Sequence, residues 1–165
     1  MSYYIGIPLV VTIALAEVAF LPYFRVFGLQ PNLLLVVLLA WLMVRGQEEA
    51  LYLIPIGAVF LGLVDGAPMG IALLALAPVA VLHDLRGSHL SEGQLLIALV
   101  FTVAATVVYQ STYLLAFGLH GQAGDILGAV LRVVVPVSLL NVAFLLPVYW
   151  LTWLFSPDVR RAMFA

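Results

Sequence analysis

Four polar side chains lie within or beside long apolar runs of the sequence. Glu17, Asp65 and Arg132 carry charge, and Asn141 carries an amide. A charged residue at the centre of a membrane helix costs about 2.5–3.5 kcal/mol, so such side chains should face the interior of a helix bundle and pair there. Because an arginine between two carboxylates would offset much of their desolvation, the sequence predicts that Glu17, Asp65 and Arg132 are coupled.

Three interpretations of these residues stay open: a structural clamp between helices, a ligand or ion site, and side chains that extend to the membrane surface. The polar residues of the last two apolar runs are typical of interhelical hydrogen bonds; they are Thr106, Tyr109, Gln110, Ser138 and Asn141. No catalytic residue, metal site or cofactor is predicted, because the sequence contains no catalytic triad, phosphate-binding loop or metal-ligand spacing.

Asp65 belongs to a glycine- and proline-rich turn formed by Gly62, Asp65, Gly66, Pro68 and Gly70. The flanking apolar runs, 51–64 and 69–82, would each be about 21 Å long as helices, whereas the hydrocarbon core of a bilayer is about 30 Å thick. The turn is therefore predicted at membrane depth, against protein or a wet cavity. Its glycine spacing also matches a helix-dimer motif, although a turn is the favoured interpretation.

The composition excludes an ordinary soluble domain. Of 165 residues, 65% are hydrophobic and only 8% are charged, which predicts an all-α integral membrane protein with one domain over residues 1–165. The chain has no cysteine, and its net charge of -2 gives no electrostatic footprint for nucleic acid.

Six transmembrane helices are predicted from the apolar runs and the residues that interrupt them. Pro31 and Asn32 mark the start of the second helix, where the missing N–H of proline costs nothing. Pro136 and Pro147 predict distortions in the last helix. The predicted ranges are 5–21, 32–44, 48–64, 69–82, 95–119 and 125–155.

The arginines predict the orientation of these helices. With six spans, Arg45, Arg86, Arg160 and Arg161 share one side of the membrane, and Arg25 lies in a loop on the other. Because cytoplasmic loops are enriched in basic residues, both termini are predicted to be cytoplasmic.

Two short motifs resemble those of the MreD family of rod-shape-determining membrane proteins. Gln30-Pro31-Asn32-Leu33-Leu34-Leu35 is similar to the family's Pro-Asp/Asn-Leu-Leu start of helix two. Gly62-Leu63-Val64-Asp65 with Pro68-Met69-Gly70 is similar to its Gly-Leu-x-x-Asp and Pro-Leu-Gly turn. The interval between Asp65 and Pro68 is shorter than the family's, and Met69 replaces a leucine. The resemblance extends over nearly the whole chain in length and helix number.

The resemblance implies a non-enzymatic scaffold in the bacterial cytoplasmic membrane. Its partners would be MreC, the glycosyltransferase RodA, a class B penicillin-binding protein, membrane lipids and, indirectly, the MreB filament. The family is also similar in fold to the substrate-binding subunits of energy-coupling-factor vitamin transporters, which supplies the alternative function. Few polar loop residues on the outer side and no long loop to form a lid favour the scaffold. An intramembrane transferase with scattered polar groups is a further alternative.

A scaffold of this kind would act through helix faces that accept another helix. Packing of small residues drives such contacts in a membrane. The candidate positions for a partner helix are therefore small residues of the third and fifth helices, namely Gly57, Gly62, Ala98 and Thr102.

Overall fold

The computed structural model describes residues 3–23, 25, 28–66, 69–81, 92–119, 128 and 130–154. These residues form six α-helices, and their bounds follow the apolar runs closely. They are α1 (Tyr3–Ala19), α2 (Leu33–Arg45), α3 (Gln47–Asp65), α4 (Met69–Val81), α5 (Glu92–Leu119) and α6 (Val135–Leu154). The all-helical prediction is confirmed for the described residues.

Three helical segments are long and apolar enough to cross a membrane: Tyr4–Tyr23, Leu96–Ala116 and Leu131–Leu154. The apolar helices Leu33–Arg45 and Gly70–Val81 are shorter. Such lengths and compositions are those of a membrane protein. Six spans remain a prediction, because half of the helices fall short of this criterion.

The core is built around α2. This helix is apolar almost throughout, and all ten residues from Leu34 to Met43 are buried, as expected for a helix without a polar face. It packs against α1, α3, α4, α5 and α6. Around it, α1 packs beside α3, α3 beside α4, α4 beside α5, and α5 beside α6. The result is one central helix within an incomplete ring of five, with the gap between α1 and α6.

Gly57 is a buried glycine at which neighbouring helices approach closely. A Cβ atom on Gly57 of α3 would lie 3.0 Å from Cγ1 of Val10 on α1 and 3.2 Å from Cδ1 of Leu34 on α2. These distances are shorter than ordinary carbon contacts, so a larger residue would force the three helices apart.

The start of the last helix is distorted, as its prolines predict. A π-helical turn spans Val130–Val134 and precedes Pro136. Proline lacks the N–H that would bond to the carbonyl four residues earlier, and its ring clashes with that carbonyl. The change of helix type therefore coincides with the position at which Pro136 interrupts the bonding. Asp125 and Phe155, the predicted limits of this helix, lie outside the described residues.

Candidate binding site

Glu17 caps the buried start of α2. The N-cap position of α2 is Asn32, but its side chain makes no capping hydrogen bond. Instead, the backbone N–H of Leu34 donates to Oε2 of Glu17 on α1, at 2.7 Å. The first N–H groups of a helix lack partners within the helix and carry partial positive charge. A carboxyl group from a neighbouring helix supplies both a hydrogen-bond acceptor and a group that the positive end of the helix attracts.

Asn141 makes a second connection to the same helix start. Its Oδ1 accepts a hydrogen bond from the backbone N–H of Asn32 at 2.8 Å. Its Nδ2 donates to Oγ1 of Thr106 on α5 at 2.9 Å. The predicted hydrogen bond between the last two helices is therefore confirmed for this pair. Ser138 instead donates to the carbonyl of Val134, one turn earlier in its own segment, at 2.7 Å.

A cavity of about 540 Å³ adjoins this capped helix start. Its walls come from α1, the connection before α2, the end of α3, the later part of α5, and the π-helical turn and first turn of α6. The polar lining residues are Glu17, Arg25, Gln30, Asn32, Asp65, Tyr109, Gln110 and Tyr113, and the others are Val18, Pro22, Gly28, Leu29, Leu61, Leu114, Val133 and Val137. A volume of this size is typical of small-molecule sites.

Two buried polar atoms in the cavity lining have no hydrogen-bond partner within the described part of the chain. They are Oε1 of Gln30 and Nδ2 of Asn32. Asn32 is only 6% exposed, and the Nε2 of Gln110 lies 3.5 Å from its Oδ1. Buried polar atoms of native proteins nearly always find partners, so two such atoms in one cavity require an explanation.

The cavity brings together two of the three charged residues that the sequence predicts to be coupled. Glu17 is buried, and Asp65, the last residue of α3, is exposed at the cavity rim. Arg132 lies on the π-helical turn, is exposed, and does not line the cavity. No contact of Arg132 with either carboxylate is present among the described residues, and Arg25 is the arginine at this cavity instead.

The turn after α3 is organised by Gly66. Its φ of 70° places it in the left-handed region, where it ends α3, as glycine does at many helix C-termini. Gly62 is buried, and Gly70 near the start of α4 has open space beside it. Pro68 of the same motif lies outside the described residues.

The small residues predicted as a partner-helix surface occupy the interior instead. Gly57 and Gly62 are buried, and Ala98 and Thr102 are 3% and 1% exposed. In this structure these four candidate positions therefore do not form an exposed helix face. Small residues allow close packing equally well between helices of one chain and between chains, and the sequence does not distinguish the two uses.

A groove between α1 and α6 has residues of the central helix α2 at its floor. It has a volume of about 470 Å³ and is almost entirely apolar. Three helices contribute one stripe each; the lining residues are Ile5, Leu9 and Ile13 of α1, Leu33, Val37, Trp41 and Arg45 of α2, and Val148, Leu151 and Thr152 of α6. The guanidinium carbon of Arg45 lies 5.5 Å from the ring centroid of Trp41.

Sequence reasoning missed the capping role of Glu17 and the participation of Arg25, Gln30 and both tyrosines in the cavity. A signal for the capping role was present: Glu17 lies near the end of the first apolar run, and Pro31-Asn32 opens the next one. Two successive antiparallel helices place these ends side by side. The four-residue spacing of Tyr109 and Tyr113 puts them on one helix face, and their rings stack with centroids 5.0 Å apart.

Within the described residues, no three His, Asp or Glu side chains are grouped to hold a metal ion. Comparisons of the chain with protein-family models, curated proteins and solved structures gave no match.

Proposed function

We propose that this protein is a non-enzymatic membrane scaffold of the bacterial cell-elongation complex. In this function it holds the transmembrane helix of an MreC-like partner and so helps to dock RodA and its class B penicillin-binding protein, with the MreB filament as an indirect partner. The sequence motifs around Pro31 and Asp65 suggest the family, and the groove between α1 and α6 is the structural observation that carries the proposal.

The groove is long enough for about three turns of a helix. Leu33, Val37, Trp41 and Arg45 recur every four residues along α2, so the floor follows one face of that helix for about 18 Å. The walls, α1 and α6, both pack against α2. A helix in this position would close the ring around α2.

Chemistry favours a transmembrane helix over a polar ligand here. Apart from Arg45 and Thr152 at one end, the groove residues are apolar, and the Thr152 hydroxyl already donates to the Val148 carbonyl at 2.8 Å. A helix in lipid gains contact through packing rather than through polar groups. The groove offers three converging faces for such packing.

Two exposed leucines provide a matched test of this surface. Leu151 lies in the groove and is 46% exposed, whereas Leu74 on α4 lies outside it and is 64% exposed. We expect Leu151→Trp to weaken co-purification of the MreC-like partner at least tenfold and to reduce rod shape in cells that depend on the protein. Leu74→Trp should change neither, and both variants should keep the Tm of the parent protein.

Photocrosslinking makes the same test without filling the groove. A photoreactive residue at position 151 should crosslink to the partner's transmembrane helix, and one at position 74 should not. If capture of the partner survives Leu151→Trp and position 151 gives no crosslink, the groove is not the docking site and this proposal fails.

A second candidate function is that of a substrate-binding subunit of a vitamin transporter of the energy-coupling-factor type. The cavity near Asn32 favours it, because this cavity has the polar and aromatic lining that such a subunit needs. Stabilisation of the purified protein by one vitamin, with partner capture absent, would support this function over the scaffold.

A further inference from the structure

The cavity next to α2 has more acidic than basic side chains among its described lining residues. Among its described lining residues, Glu17 and Asp65 carry carboxyl groups, and Arg25 is the one cation. Arg25 and Asp65 are exposed, whereas Glu17 is 6% exposed. One oxygen of Glu17, Oε2, accepts from Leu34. Glu17 lines the cavity, so the most deeply buried ionisable group that a ligand meets there belongs to a carboxyl side chain.

The unpartnered atoms add a requirement for hydrogen bonding. Nδ2 of Asn32 is a buried donor and Oε1 of Gln30 is a buried acceptor, both in residues that line this cavity. Leaving such atoms unpaired costs about 1–3 kcal/mol each. A molecule that offers one acceptor and one donor in the cavity would recover part of that cost. This observation is independent of the two carboxylates.

The aromatic wall is compatible with a cation. Tyr109 and Tyr113 line the cavity with stacked rings whose centroids lie 5.0 Å apart. The face of an aromatic ring is negative and attracts an ammonium group. Gln110, between them in sequence, also lines the cavity, so α5 contributes both aromatic and amide groups.

From these contacts we infer that the cavity binds a small molecule with an ammonium group and an oxygen acceptor. The ammonium group lies by Glu17 and Asp65, and the oxygen accepts from Nδ2 of Asn32. This inference goes beyond the scaffold function and does not depend on it, because the cavity and the groove between α1 and α6 have no lining residue in common.

Ethanolamine and ethylene glycol test the inference as a pair of probes. They have the same number of non-hydrogen atoms and differ in one group, an ammonium or a hydroxyl. With purified protein in detergent, we expect ethanolamine to raise the Tm saturably by about 3 °C or more. Ethylene glycol at the same concentration should give no rise in Tm. Sodium chloride is added to the ethylene glycol sample so that both samples have the same ionic strength.

Variants then connect the effect to the cavity. Asp65→Asn removes one carboxylate charge at an exposed position, and Asn32→Ala removes the unpartnered amide; each should weaken ethanolamine binding at least fivefold. Glu48→Gln is the matched control for Asp65→Asn. Glu48 is an exposed acid in the first turn of α3, the helix that ends at Asp65. The Glu48→Gln variant should bind ethanolamine as the parent protein does.

The ammonium group could belong to a free molecule or to a lipid headgroup, and short-chain lipids distinguish the two. Stabilisation by dioctanoyl phosphatidylethanolamine but not by dioctanoyl phosphatidylglycerol, with free ethanolamine ineffective, indicates a lipid headgroup. Stabilisation by free ethanolamine indicates a soluble ligand. If neither amine stabilises the protein, or if Asp65→Asn and Glu48→Gln bind equally well, the inference is wrong. Partner capture through the groove would be unaffected by that result.

Discussion

Glu17 illustrates how a buried carboxylate is compensated without an arginine. The sequence pairs it with Arg132, but the structure pairs it with the N-terminus of α2 through the 2.7 Å hydrogen bond from Leu34. A helix N-terminus supplies N–H donors and about half a positive charge. Both lie on a rigid element, so the compensation requires no long flexible side chain to be ordered.

At this residue, Glu17→Ala should lower the free energy of unfolding by about 1–3 kcal/mol, because it removes a cap and leaves the N–H of Leu34 buried without a partner. The measurement is an SDS-unfolding titration in mixed micelles. Glu48→Ala is the control, since Glu48 is exposed, and it should change the free energy by no more than about 0.5 kcal/mol. Equal effects of the two substitutions would show that the capping bond contributes nothing.

At the scale of elements, α2 is the helix on which the others depend. It has 13 residues, about 20 Å of helix, and is therefore shorter than a bilayer core. Its N-terminal groups consequently need partners from α1 and α6, which Glu17 and Asn141 provide. Its sides need closely packed neighbours, and Gly57 lets α3 approach.

We expect Gly57→Ala to destabilise the protein by about 1–3 kcal/mol, because the added methyl group meets Val10 and Leu34 at 3.0 Å and 3.2 Å. Gly70→Ala is the matched control within the neighbouring helix α4, where nothing lies within 4 Å of the added atom. Since alanine favours helix over glycine, the control should be neutral or stabilising by up to about 1 kcal/mol. Thermal unfolding of both variants in one detergent compares them, and similar losses would contradict the close-packing role.

At the scale of the whole molecule, two openings between the described helices differ in their chemistry. The cavity beside the start of α2 is polar and contains charged groups. The groove between α1 and α6 is apolar and follows the length of α2. Their separation allows one bundle to hold a partner helix and a small ligand independently.

The orientation of the molecule is tested by reporter fusions. Six spans place both termini in the cytoplasm, whereas the three long apolar segments alone would place the termini on opposite sides. Alkaline phosphatase, which is active only in the periplasm, should be inactive when fused after Ala165 and active when fused after Gly28. Green fluorescent protein becomes fluorescent in the cytoplasm but not when it is exported unfolded to the periplasm. Its fusions should therefore give the reverse result. A phosphatase-active fusion after Ala165 would overturn the helix count or the orientation.

Local features of the sequence determined the helices and their limits. The predicted start at residue 69 and end at residue 119 agree with α4 and α5, because glycine, proline and polar residues interrupt apolar runs at those places. Gly66 ends α3 in the left-handed conformation that its residue type favours. These outcomes depend on residues within a few positions of one another.

The tertiary structure decided which faces meet and which partners the polar groups take. The bond between Asn32 and Asn141 joins residues 109 positions apart, and the Glu17–Leu34 bond joins residues 17 apart. Helices that are apolar on every side lack the polar stripe that would mark an outward face. Lipid and protein interior are both apolar, so the sequence could not show that Gly57, Ala98 and Thr102 face inward; only the packing around α2 decided it.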